Sequence, residues 1–269
     1  VDHLPIAAGL VQFTPDGLQF GSVAGCCFTT GDPFVNIWDA ASFTLVRKIG
    51  GDISHASSVS FTPDGSLAVS ASGIWISGVY VWDTSSGDQL AHINTVAVDA
   101  EFSPDGASVS TISGEGCVYV WRWSTGDLIR DLGCSGGRWP YALTFSPDGK
   151  RIYASGNNSR LRALDVELGG TTGYLRLGVS DAHPIALSVD GLTLAVGNGE
   201  GAEYSHSPQR VEIYDTSSRE KLYRIHGYWP ALDSAGDVVA TLTGGYVRVV
   251  SFEGGDIEGI FHTAPPATG

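Results

Sequence analysis

Apolar and polar residues along this chain alternate in short runs, and no stretch settles into a helical period. Tyr141, Leu143 and Phe145 form one such run. Alternation at every second position predicts a half-buried strand. That strand ends in FSPDG (Phe145–Gly149), and the same punctuation recurs as FTPDG at Phe13–Gly17 and Phe61–Gly65 and FSPDG at Phe102–Gly106. Two altered copies follow, LSVDG at Leu187–Gly191 and LDSAG at Leu232–Gly236. In this turn proline presets φ, aspartate bonds the local backbone, and glycine accepts a left-handed conformation. A second strand such as Leu67–Ala71 follows, so the segment reads as a hairpin, six times over.

A second landmark lies about 20 to 25 residues further on. It reads VNIWDAAS from Val35, VYVWDTSSGD from Val79 and VYVWRWSTGD from Val118. Looser copies are LRALDVELGG from Leu161, VEIYDTSSRE from Val211 and VRVVSFEGGD from Val247. Each is an alternating strand, a polar turn and a fourth strand, as in Thr44–Ile49. The first residues of the turn motifs are 48, 41, 43, 42 and 45 residues apart, the span of four strands and their turns. A lone four-stranded unit leaves both faces wet, so the copies must stack face against face around an axis. The expected fold is all-β: one β-propeller domain over 1–269, with repeats at about 10–50, 56–94, 97–133, 139–177, 183–226 and 228–263. Six four-stranded blades are favoured, with a seven-bladed parent as the alternative.

The pairing of F-S/T-P-D-G with a later V-x-V/I-W-D resembles the WD-repeat propellers over roughly residues 10 to 263. It is carried by Trp38-Asp39, Trp82-Asp83 and Trp121, whereas Leu164, Tyr214 and Val250 replace the tryptophan later. Those later copies are more similar to YVTN-type propellers. The family often carries a histidine, serine, aspartate and tryptophan tetrad within each blade. Here Asp32 stands six residues before Trp38, but Ile76, Glu115, Asn158, Pro208 and Gly244 occupy its equivalents, and His55 has no aspartate in its repeat. The expectation is therefore that apolar packing, not internal polar networks, holds most blades. The resemblance also implies that innermost strands line a central channel, and that loops leading into them gather on one face.

Composition narrows the function. Fifteen basic against 29 acidic side chains give a net charge of −14, which repels phosphate backbones and argues against nucleic acid as a partner. No apolar run approaches the ~18 residues of a membrane span, so membrane association is not expected either. No signal peptide is visible at Val1, and the absence of any methionine suggests a processed or excised chain. Cys26, Cys27, Cys117 and Cys134 show no metal-ligand spacing, and their pairing and redox compartment stay open. A soluble chain is expected, cytoplasmic in preference to secreted. Ring closure hides strand edges, so a monomer is expected.

Unusual residues fall in segments leading into the innermost strands. These are Arg138, Trp139 and Tyr141 before the fourth repeat, His183 before the fifth, and Tyr228 and Trp229 before the sixth. Trp75 in the second repeat and an insertion holding Tyr204 and His206 in the fifth join them. Aromatics with a few polar groups suit a recognition surface, although tryptophan can equally plug the space between blades. No nucleophile elbow, phosphate loop or metal motif is present, so no catalytic residue, metal or cofactor is expected. The preferred reading is a non-catalytic scaffold for a protein or peptide partner. A lectin-like or small-ligand propeller that stacks aromatics on glycans is the alternative, and a propeller hydrolase or lactonase the second.

Overall fold

A computed structural model of the chain describes residues 10–23, 34–42, 44–50, 56–72, 78–135, 142–155, 160–177, 182–198, 210–232, 238–243, 246–251 and 261–262. These form six four-stranded antiparallel sheets, each a meander in chain order, and no helix occurs among them. The first sheet comprises β1 (Leu10–Phe13), β2 (Gln19–Val23), β3 (Phe34–Asp39) and β4 (Leu45–Gly50). The second has β5 (Ser58–Phe61), β6 (Leu67–Ala71), β7 (Val79–Asp83) and β8 (Gln89–Ile93). The third has β9 (Asp99–Phe102), β10 (Val109–Ile112), β11 (Cys117–Arg122) and β12 (Asp127–Cys134). The fourth has β13 (Leu143–Phe145), β14 (Arg151–Ala154), β15 (Arg160–Asp165) and β16 (Thr171–Arg176). In the fifth are β17 (Ala182–Leu187), β18 (Thr193–Asn198), β19 (Arg210–Asp215) and β20 (Lys221–His226). The sixth holds β21 (Tyr228–Leu232), β22 (Val238–Thr243), β23 (Tyr246–Ser251) and β24 (Phe261–His262).

The turn between the first two strands of each of the first five sheets is a hydrogen-bonded unit. The Thr14 hydroxyl donates to Asp16 (2.6 Å), the Leu18 amide donates to the same carboxylate oxygen, and the Gly17 amide closes on the Thr14 carbonyl. Thr62 with Asp64, Ser103 with Asp105 and Ser146 with Asp148 repeat it. Ser188 with Asp190 keeps it although Val189 has replaced the proline. These bonds hold the five aspartates below the usual carboxylate range, Asp64 at about 2. Proline serves a second purpose: a Cβ on Gly149 would sit 3.7 Å from Pro104, and one on Gly191 would sit 3.0 Å from Pro147. Each turn thus packs on its predecessor. The LDSAG copy lies outside the described residues.

The core lies between sheets rather than within any one of them. Val35, Ile37 and Ile49 of the first sheet meet Val59, Phe61 and Trp82 of the second, and four further apolar layers join each sheet to the next. Phe61 reaches across because Gly21 opposes it; a Cβ there would lie 2.9 Å from the ring. With 40 of the 43 buried hydrophobic residues among those described lying in these five layers, burial at about 25 cal/mol per Å² of apolar surface is what holds the sheets face to face.

Polar anchors are more frequent than the residue pattern suggests. Trp38, Trp82 and Trp121 each donate an indole N–H to a hydroxyl on the neighbouring second strand, at Ser22, Ser70 and Thr111 respectively (2.9, 3.0 and 3.0 Å). The tryptophan and serine half of the tetrad therefore persists in the first three sheets, with threonine standing in once. Asp32 and His55, its other half, lie outside the described residues. Cys117 and Cys134 are disulfide-bonded across β11 and β12, a pairing that spacing alone left undecided. Beside this bridge the buried Arg162 of the fourth sheet donates to the carbonyls of Gly116, Leu132 and Gly133 of the third.

Candidate functional site

The innermost strands β1, β5, β9, β13, β17 and β21 lie side by side in that order. Three of the residues singled out from sequence fall on them: His183 in β17, and Tyr228 and Trp229 in β21. The reading placed them in segments leading into strands; the strands begin earlier and include them. Both strands carry a register shift at this point. In β17 the pairing steps from Ala182↔Asn198 to Ile185↔Val196, so His183-Pro184 forms a bulge. In β21 it steps from Tyr228↔Leu242 to Ala231↔Ala240, with Trp229-Pro230 in the bulge. Proline has no N–H for the ladder, and a bulge is where a sheet tolerates it. Two neighbouring innermost strands thus carry the same local device. Trp75, Arg138, Trp139, Tyr141, Tyr204 and His206 lie outside the described residues.

Residue-pattern reading missed a pair of acids further along the same inner surface. Asp99 and Glu101 alternate on β9, so they share a face of the strand. Asp99 accepts hydrogen bonds from the amides of Leu143 on β13 (3.0 Å) and Ala100 (2.8 Å). The Ala100 amide also reaches Ser58 on β5 (3.1 Å), and the Ser57 hydroxyl donates to the Val98 carbonyl (2.9 Å). Glu101 accepts from the Thr144 hydroxyl (3.3 Å). The acids therefore stitch the inner strands of three consecutive sheets together. Enclosure by protein raises both carboxyls, and the Asp99 charge adds to this, pushing Glu101 up to about 8. Glu101 is a neutral acid at pH 7, able to hold a proton where an ordinary glutamate could not. The signal was legible: DAEF puts acids where other copies have Ser58 and Ser60 or Ala142 and Thr144.

Chemically this pair could store or share one proton. Among the described residues no group of three His, Cys, Asp or Glu side chains is placed to hold a metal. Among the described residues no helix is long and apolar enough to cross a membrane.

Comparisons with known proteins agree on the fold. No protein-family model matches the chain. Autophagy-related protein 16 of Arabidopsis thaliana is 23% identical over 250 residues, covering 88% of this chain and 47% of that protein. An uncharacterized WD repeat-containing protein of Synechocystis is 39% identical over 66 residues, 24% of this chain and 17% of that one. The chain spans less than half the length of each curated relative it matches. Among solved structures, the β-propeller domain of Myceliophteria thermophila Cps50 (Swd1) superposes with a TM-score of 0.75 at 15% identity. That match covers 98% of this chain and 89% of the other, and it shows an all-β propeller of four-stranded blades.

Proposed function

We propose that this chain, a WD-repeat β-propeller, is a non-catalytic scaffold that docks a protein or peptide partner on the face where its innermost strands begin. The observation that carries this reading is the pair of proline-containing bulges on β17 and β21. They fall at the starts of two neighbouring strands that hold His183, Tyr228 and Trp229. Bulges interrupt pairing and re-aim side chains, and they recur beside binding sites. Trp75, Arg138, Trp139, Tyr141, Tyr204 and His206 belong to the same face in this proposal. The six sheets would form one closed monomeric ring over 1–269, the sixth lying against the first. The curated relatives are longer than this chain, one of them a WD repeat-containing protein, and a docking role within a larger assembly is consistent with that. The Cys117–Cys134 disulfide favours an oxidising compartment over the cytoplasm expected from composition.

Partner capture followed by cross-linking mass spectrometry tests the reading. Cross-links should map to the strand-start face, and Trp229→Ala should weaken retention about tenfold or more, as for an aromatic hot spot. Leu168→Ala, in an exposed outer turn, should change nothing. Specific glycan binding without a protein partner, or hydrolytic turnover lost in Glu101→Gln, would replace this reading with the lectin-like or enzymatic one.

A further inference from the structure

A cleft opens between the fourth and fifth sheets, away from the face discussed above. The buried Leu161, Leu175 and Leu194 lie at its base, and the exposed Tyr174, Arg151 and Arg219 line it. Neither guanidinium makes a hydrogen bond or an ion pair among the described residues, although Arg151 lies in the field of Asp148. In a chain of net charge −14, two such cations on one cleft stand out from their surroundings.

The other junctions show how this arrangement arises. Between the first and second sheets, Arg47 on β4 lies against Gly87, and its guanidinium donates to the Ser86 carbonyl (2.8 Å). Between the third and fourth, Arg130 on β12 lies against Gly169. Arg47 pairs with Ile37 and Arg130 with Val120; the matching partner of Ala163 is Gly173. The glycine and the arginine have changed places at this junction. Arg219 stands in the turn where Gly87 and Gly169 stand, at φ 63°, a left-handed conformation that arginine rarely adopts. From there its guanidinium lies over Gly173, 2.6 to 2.9 Å from where a Cβ would be. At the first junction the arginine bonds to a neighbouring backbone. Here it is left available.

We propose that this cleft binds an acidic peptide, a carboxylate side chain meeting Arg151 and Arg219 while a flanking apolar residue lies on the exposed Tyr174 ring. Guanidinium groups favour carboxylates through charge-assisted, often paired hydrogen bonds. The exposed Tyr174 ring favours an amphipathic segment over a run of acids.

Fluorescence anisotropy with the full chain and a labelled peptide alternating leucine and glutamate tests this. Saturable binding is expected, about tenfold or more tighter than for the leucine and glutamine counterpart. Arg219→Gly should lose that preference while raising Tm, because glycine is at ease at positive φ. This outcome separates loss of binding from loss of fold. Gly173→Ala, which displaces the guanidinium, should weaken binding, whereas Trp229→Ala should leave it unchanged. Equal affinity for the two peptides, or full binding by Arg219→Gly, would overturn the proposal. Because Trp229 tests the strand-start face alone, either proposal can fail without the other.

Discussion

The first three sheets and the last three answer one structural demand in different ways. In the former, a tryptophan on the third strand donates its indole N–H to a hydroxyl on the second, and Trp82 and Trp121 pack against the preceding sheet. In the fourth, Leu164 faces no such hydroxyl, because Ala154 occupies the acceptor position. In the fifth, the Tyr214 hydroxyl donates instead to the fully buried Glu212, which Lys221 and Arg224 neutralise at 3.3 and 2.9 Å. In the sixth, Val250 replaces the aromatic, and the buried Thr241 hydroxyl, the counterpart of Ser70, is left without a hydrogen bond. What the fold requires at this position is filled volume with every buried polar atom paired. Tryptophan with serine is one solution, and a buried ionic cluster is another. The sixth sheet meets the volume requirement and fails the polar one.

That contrast can be broken most severely at Trp82. Its replacement by alanine removes a buried ring and orphans Ser70, and should cost about 3–5 kcal/mol in urea unfolding. A second variant, Trp82→Phe, should recover most of this if volume dominates, and little of it if the indole bond does.

The next largest effect belongs to Glu101, whose carboxyl is raised to about 8 from 4.5. For a carboxyl raised on folding, stability is complete below the unfolded value near 4.5 and declines as pH climbs through about 8. Glu101→Gln should therefore match the parent near pH 4.5 and exceed it by about 4 kcal/mol at pH 8, measured by thermal melts across pH. The smallest effect separates the sixth sheet from the rest. Thr241→Val removes an unpaired hydroxyl and should be neutral or stabilising by up to ~1 kcal/mol, whereas Ser70→Ala, which orphans an indole N–H, should destabilise by ~1–2 kcal/mol.

How much was legible follows from how local each cause is. The five described P-D-G or V-D-G turns close on contacts within five residues, so their hairpins could be read directly, valine for proline included. The site residues were harder. Tyr228 and Trp229 were recognised, but their membership of β21 depends on a bulge, and a bulge is a relation between two strands. Asp99 and Glu101 looked like two more acids in an acidic chain. Their altered protonation comes from burial among strands distant in sequence and, for Glu101, from the Asp99 charge; the bonds from Leu143 and Thr144, more than 40 residues away, only partly offset it. The exchange of Arg and Gly at the fourth junction was invisible for the same reason, because it is a comparison between junctions.

Sequence alone determined the repeat, its strand order and the all-β class, because alternation and turn chemistry act over a handful of residues. Tertiary structure alone decided which cysteines pair, which carboxyl keeps its proton, and which arginines go unpaired. Those outcomes depend on what faces a side chain across a gap between sheets, and burial there changes the energy of a charge or a hydrogen bond far more than any neighbour in the chain does.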